Sequence, residues 1–320
     1  MPPRIQTSVT IISAPYHVGL RDSPIHRHNR VSEGPDYIKS AGLVSRLKNY
    51  DVPVHQVDIA PVSDDFEGEI GRSFEVLRRI SLAVTAARNQ SSFPIVLAGN
   101  CCASVGVAAG LWGSDDLKDA RDDALGCVWF DAHDDYNTPD TVLSGYFDSQ
   151  GIAMIAGECW KALLSTVPGF RPTPVRRVIH CGIRDVNHLE RRRVEDSEMG
   201  VVWGDATKKV DFEDGLRKEM REKFGQEKDT ATLVHLDVDC LDSTLGKANA
   251  FSCPGGLFEE DMADCMEAIS ERTIPAAFTI ASFDPCCDGD DSAQRLASIS
   301  IDAVAKVLDG LRSQGLVRPA

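Results

Sequence analysis

The chain has 320 residues, 42% hydrophobic and 26% charged, with ten cysteines and a formal net charge of -15. This composition excludes a disordered or fibrous chain, and the acidic excess leaves no broad cationic surface for a nucleic acid backbone. The length admits one large α/β domain or two smaller ones.

In chain order, Met1, Pro2, Pro3 and Arg4 open the sequence without a hydrophobic targeting region, and no apolar run is long enough to cross a bilayer. Both features predict a cytoplasmic protein with no membrane partner. The cysteines sit on apolar runs, which suits reduced thiols better than a disulfide framework. The run Val9 to Ala14 predicts a first buried strand, followed by a helix-period segment from Phe74 to Arg88. Next come a strand at Pro94 to Ala98, a helix at Ala103 to Trp112, and strands at Gly126 to Asp131 and Arg177 to Gly182. A helix at Asp214 to Phe224, a strand at Thr232 to Asp237 and a helix at Glu259 to Ser270 follow. The strand Ala276 to Ala281 and the helix Ser292 to Leu311 complete the series. This alternation predicts a mainly parallel sheet covered by helices on both faces. The linker-like stretches Pro61 to Asp65 and Val167 to Pro174 are short for a hinge, so residues 1–320 are read as one domain. The charged segment Thr207 to Asp229 mixes signs at helical spacing, as a solvated helix face does.

Open parallel sheets bind ligands beyond the carboxyl ends of their strands, so the residues just after each strand carry the functional signal. After Phe130 comes Asp131, Ala132, His133, Asp134, Asp135, Tyr136, Asn137, a dense set of oxygen donors around one imidazole. Taken alone, such an acidic turn more often caps a helix. It does not stand alone, because Leu236 is followed by Asp237, Val238 and Asp239, with two carboxylates at alternate positions on one side of the chain. Buried carboxylates need cations, donors or protons to persist, and cations explain both groups at once. A third strand end reads Gly99, Asn100, Cys101, Cys102, where inert core thiols are the plain alternative to a ligand. The fourth reads Ser282, Phe283, Asp284, Pro285, Cys286, Cys287, Asp288; it lacks zinc-knuckle spacing, and Asp284 is read as capping a turn.

The segments VTIISAPYHVG, EGPDYIKSAGL, VLAGNCCASVGVAAGL, DAHDDYNTPDTVLSG, IHCGIRDVN and HLDVDCLDS resemble, in order, the ureohydrolase superfamily of arginases and agmatinases. The resemblance implies a three-layer α/β/α arginase-like fold with two manganese ions at the strand ends. It places one ion with Cys101, Asp131, Asp135 and Asp237, and the other with Asp131, His133, Asp237 and Asp239. It implies hydrolysis of a C–N bond in a guanidino, amidino or related small molecule, with a hydroxide between the cations as nucleophile and Asp135 orienting it or taking its proton. Asn137 and Ser144 match positions that hold the substrate's carboxylate end.

Departures from the family pattern carry their own expectations. Cys101 replaces a metal-binding histidine, and a thiolate favours Zn²⁺ or another softer ion over Mn²⁺. Gln150, preceded by Asp148, stands where a proton-shuttling histidine is usual, so both enter the catalytic set. Ser282 and Asn187 replace two acids that hold arginine, so arginine itself is not the expected substrate. The family also forms homo-oligomers. Two alternatives stay open: a mononuclear zinc amidohydrolase of the deacetylase type using Asp131, His133 and Asp237, and a non-catalytic relative that binds a metabolite.

Overall fold

The computed structural model describes residues 4–17, 29–62, 69–226 and 228–319. Residues 1–3 of the opening segment, 18 and 19 of the first family-like segment, and 63–65 of the linker-like stretch lie outside the described residues.

Among the described residues eight strands form one sheet: β1 Ser8–Ala14, β2 Val54–Asp58, β3 Ser92–Ala98, β4 Leu125–Phe130, β5 Val178–Cys181, β6 Gly200–Val202, β7 Ala231–Asp237 and β8 Ile274–Ala281. Their order is β2-β1-β3-β8-β7-β4-β5-β6, and every pairing is parallel. Side chains alternate between two apolar clusters, as a strand period of two requires. Ile95 and Leu97 of β3, with Val128 and Phe130 of β4, enter one cluster; Val96, Ala98, Cys127 and Trp129 enter the other. The first cluster is closed by the helices Phe212–Phe224, Glu259–Arg272 and Asp290–Ser313. The second is closed by Glu69–Asn89 and Ala103–Trp112. The result is the three-layer α/β/α arrangement expected from the sequence.

Helix Ala103–Trp112 lies close against Glu69–Asn89 because two glycines face the contact. A Cβ at Gly106 would come within 2.7 Å of the Leu77 carbonyl oxygen, and one at Gly110 within 2.6 Å of that of Ser81. All ten residues of this helix are buried, which seats its N-terminal turn firmly at the sheet edge that carries Cys101.

The six expected strands are all present, and β2 and β6 are additions. Both lie at the sheet edges. The β2 sequence VHQVD is mostly exposed, and β6 has only three residues, so neither offers the buried apolar run that reveals a strand. The segment read as a solvated helix face contains Phe212–Phe224, where Arg217 pairs with Glu213 and Glu271. Asp284 accepts the Cys286 backbone N–H at 2.8 Å, as a turn cap does. Among the described residues no helix is long and apolar enough to cross a membrane.

Candidate active site

Register decides which side chains meet. Phe130 pairs with Leu236, Leu236 with Ile280, and Ile280 with Leu97. Asp131, Asp237, Ser282 and Cys101 therefore leave the sheet at nearly one level. β3 and β4, consecutive in sequence, are separated by β8 and β7, and this divergence of connections opens a crevice at the strand ends. A cavity of about 290 Å³ fills it, lined among others by Cys101, His133, Asp135, Asp237, Asp239 and Ser282.

Asp131, His133 and Asp239 each offer a ligand atom within 4.8 Å of the other two. His133 Nδ1 lies 3.3 Å from Asp131 Oδ1 and 3.4 Å from Asp239 Oδ2. Beside them, the Cys101 thiol donates to Asp237 Oδ2 at 2.9 Å and lies 3.1 Å from Ser282 Oγ. Asp237 Oδ1 accepts the Asp239 backbone N–H at 2.8 Å, which turns the chain so that both carboxylates face the cavity.

The surrounding fold holds these groups still. The Arg184 guanidinium donates to the carbonyls of Gly182, Asp239, Cys240, Leu241, Cys253 and Pro254 at 2.8 to 3.2 Å, stitching the β7 exit to a neighbouring loop. Asn249 Nδ2 donates to Asp239 Oδ2 at 3.0 Å and to the Ser282 carbonyl at 2.9 Å. Asp135 (φ 44°) and Ser282 (φ 60°) both adopt left-handed backbone conformations that L residues avoid. Each costs about 1–3 kcal/mol and persists only where the surroundings enforce it.

Electrostatically the cluster is overloaded with like charge. Burial and the neighbouring Asp239 push Asp131 up to about 6. Burial, with Asp239 and Asp131 adding to it, holds Asp237 well above the usual carboxylate range. Burial also raises Asp135, with repulsion from Asp131 and Asp148 adding to it. Burial opposes charge on His133, yet Asp239 and Asp131 outweigh it and raise the imidazole's pKa. The Cys101 thiol is pushed up by burial and then by Asp237.

The donor set fits divalent cations: several buried carboxylates, the His133 imidazole and the Cys101 thiol converge, and Asp135 Oδ2 is buried without a hydrogen-bond partner. An orphaned buried oxygen among repelling acids is the configuration that a bound cation relieves.

The chain matches the model of the arginase family over residues 7–306. It belongs to the arginase family. Arginase from Staphylococcus aureus (strain COL) is 24% identical over 295 residues, covering 89% of this chain and 92% of the relative. The solved arginase of Bacillus caldovelox superposes with a TM-score of 0.77 at 21% identity, over 94% of this chain and 98% of that one. A proclavaminate amidino hydrolase from Streptomyces clavuligerus does so with a TM-score of 0.67 at 18% identity, over 97% and 93%. Family membership supports a hydrolase of the ureohydrolase type.

The remaining expected residues of this arginase-family chain divide by what already occupies them. Asn137 lines the cavity, but its Nδ2 donates to Asp134 at 3.1 Å and Glu190 at 3.2 Å, and its Oδ1 accepts from Thr141. Ser144 is exposed at the rim, its Oγ accepting the Tyr146 N–H. Asn187 caps the helix His188–Glu195 through its side-chain oxygen. Asp148 lines the cavity too, yet its carboxylate accepts from Asn100 Nδ2 at 2.7 Å and from the backbone N–H groups of Cys101 and Cys102 at 3.1 and 2.8 Å. It therefore anchors the Cys101 loop. Gln150 needs a correction as a cavity residue: it is absent from the lining, and its Oε1 accepts from Trp160 Nε1 at 2.7 Å. The 3-10 turn Phe147–Gln150 points Asp148 inward and sends Gln150 away.

Several site residues escaped the sequence reading. Asp185 and Glu190 add carboxylates to the rim, and Tyr146 and Phe251 add aromatic walls. His235 is the deepest omission. One ligand atom each from Cys101, Asp131 and His235 lie within 4.8 Å of one another. A histidine inside the apolar run TLVHLD reads as a core residue, and only its position two before Asp237 on one strand face hints otherwise.

Proposed function

We propose that the protein is a metal-dependent hydrolase of a C–N bond in a guanidino, amidino or related cationic small molecule other than arginine. The observation that carries this reading is the convergence of His133, Asp135, Asp237 and Asp239 on one cavity, with Asp131 in ligand reach of His133 and Asp239 and Asp135 Oδ2 left without a partner. Cys101, Asp131, Asp135 and Asp237 would hold one cation, and Asp131, His133, Asp237 and Asp239 a second, either Mn²⁺ or a softer ion such as Zn²⁺. Bound there, two divalent cations lower the pKa of water and so supply a nucleophile near neutral pH.

The chain's own residues do the rest. Asp135 Oδ2, free of hydrogen bonds and raised in pKa, either completes the donor set or takes a proton. The rim acids Asp185 and Glu190 attract a cationic substrate, and Tyr146 and Phe251 keep one wall of the cavity apolar. Ser282 offers a hydroxyl already shared with Cys101, and the Asn187 side chain is committed to its helix. Neither supplies a carboxylate for an arginine substrate, and this supports a different guanidine or amidine. Cytoplasmic location and self-association complete the proposal.

The test is a panel of guanidines, amidines and amides incubated with protein loaded with Mn²⁺ or Zn²⁺, scored for urea or ammonia and for the matching amine. Turnover of a guanidine or amidine, with arginine at least about tenfold poorer, is expected. Turnover of amides alone, or of nothing in the panel, would overturn the reading.

A further inference from the structure

Three features stand outside the assigned chemistry: the buried His235 imidazole, the buried His180 imidazole and the pocket of mixed arginines and aspartates at the opposite edge of the sheet. Of these, His235 alone joins a candidate ligand group, with Cys101 and Asp131. We propose that His235 is a metal ligand in this chain, making the position at Cys101 and Asp131 a sulfur, nitrogen and oxygen site selective for Zn²⁺-like ions. The position at Asp131, His133 and Asp239 keeps harder donors, so the two ions would differ in kind. This rests on the reading that the cavity holds divalent cations.

His235 is completely buried, and its Nε2 has no hydrogen-bond partner. A buried imidazole in a packed core normally satisfies both ring nitrogens. Here only Nδ1 is engaged, 2.8 Å from Ser104 Oγ. If Nδ1 carries the hydrogen and donates to Ser104, Nε2 presents its lone pair, which is how ligating histidines are generally oriented by a neighbour. The ring lies against Trp129, with centroids 3.7 Å apart and the two planes tilted by 35°. Trp129 in turn donates to Asp131 Oδ2 at 3.1 Å, so one indole positions two members of the group.

The strand supplies the alignment. His235 and Asp237 are two residues apart on β7 and so face the same side of the sheet. Cys101 follows β3 while His235 lies on β7, and their ligand atoms come within 4.8 Å of each other and of Asp131. Thiolate with imidazole and carboxylate is a donor set typical of zinc, whereas carboxylates with one imidazole suit manganese. His180, by contrast, has both ring nitrogens without partners but belongs to no candidate group, and it remains a core residue.

The test uses full-length protein stripped of metal and titrated with Co²⁺ alone, followed by thiolate-to-cobalt absorption in the near ultraviolet, visible d–d bands and chelator competition. Wild type is expected to show a thiolate band that Cys101→Ser abolishes. His235→Asn is expected to bind at the thiolate position at least about tenfold more weakly, with shifted d–d bands, while still taking up cobalt at the other position. A His235→Asn protein with wild-type affinity and bands overturns the assignment and leaves the hydrolase reading standing. Should that variant fail to fold by circular dichroism, Ser104→Ala decides: weakened affinity and altered bands support the ligand role, and unchanged values overturn it. Failure of wild type to take up any cobalt overturns both this assignment and the reading on which it rests.

Discussion

Both edges of the sheet bury charge, and they handle it in opposite ways. At the amino-terminal edge, Arg88 is almost fully buried but pairs with Asp116 and donates to the Ala276 carbonyl. Arg177 donates to the Lys223 carbonyl at 2.7 Å and to Thr230 Oγ1 at 2.8 Å, and stacks over Phe224. At the carboxyl-terminal edge, Asp131, Asp135, Asp237 and Asp239 cluster at the cavity, and His133 is the basic residue lining it among the described residues. At the first edge the Arg88 charge is balanced by Asp116 within the chain, although Arg88 Nε and Arg177 Nε lack hydrogen-bond partners; at the second the acids repel one another, and the proposed cations would balance them. Burial opposes ionisation at both edges, yet Arg88 outweighs it and holds Asp116 below the usual carboxylate range, whereas like-charged neighbours add to it at Asp131. Buried charge therefore marks a working site where its sign is uncompensated, and a structural one where it is paired.

The largest effect that would break this contrast comes from Asp237→Asn. It is expected to lower kcat/KM by about 10³-fold or more, because several kcal/mol of transition-state stabilisation is removed. Metal uptake should fall with it, while thermal unfolding of the metal-free protein should show no loss of stability, since a repelling charge has gone. A metal-free variant markedly less stable than wild type would show that the hydrogen bonds from Cys101 and the Asp239 N–H outweigh the repulsion.

Asp116→Asn probes the other edge. It leaves the buried Arg88 without its counter-charge and is expected to cost about 3 kcal/mol in urea unfolding, with metal content and substrate turnover per folded molecule unchanged. Loss of metal binding would dissolve the distinction between the edges.

A smaller effect sharpens it through pH. The Asp131 pKa is raised to about 6 in the fold, so the stability it contributes is complete below the unfolded value near 4 and is lost as pH rises through about 6. In metal-free protein this should amount to about 2–3 kcal/mol, and saturating divalent cation should abolish the decline. Asp116 has the opposite sign: its pKa is depressed, so its contribution is present above about 4 and is lost as pH falls through its folded value. Unfolding curves of the metal-free protein, its Asp131→Asn variant and its Asp116→Asn variant from roughly pH 2 to pH 8 separate the two.

Much of this was legible before any coordinates. Runs such as IVLA in β3 and LVHLD in β7 are buried on both sides and read directly as strands, and the acids immediately after them fall where a parallel sheet puts its ligands. The edge strands were not legible because solvent permits polar residues such as His55 and Gln56 there. Within the site, the acids were visible because buried charge is rare, whereas the roles of Asp148 and Gln150 depended on a turn geometry that spacing alone does not give. His235 was hidden for the reverse reason: its unpartnered nitrogen is defined by Ser104 and Trp129, two residues distant in sequence.

Anomalous diffraction from crystals grown with excess Mn²⁺ or Zn²⁺ tests the central claim most directly. Two peaks are expected at the carboxyl-terminal sheet edge, both within ligand distance of Asp131 and Asp237. A folded protein whose carboxylate cluster shows no anomalous peak at saturating metal would contradict the account.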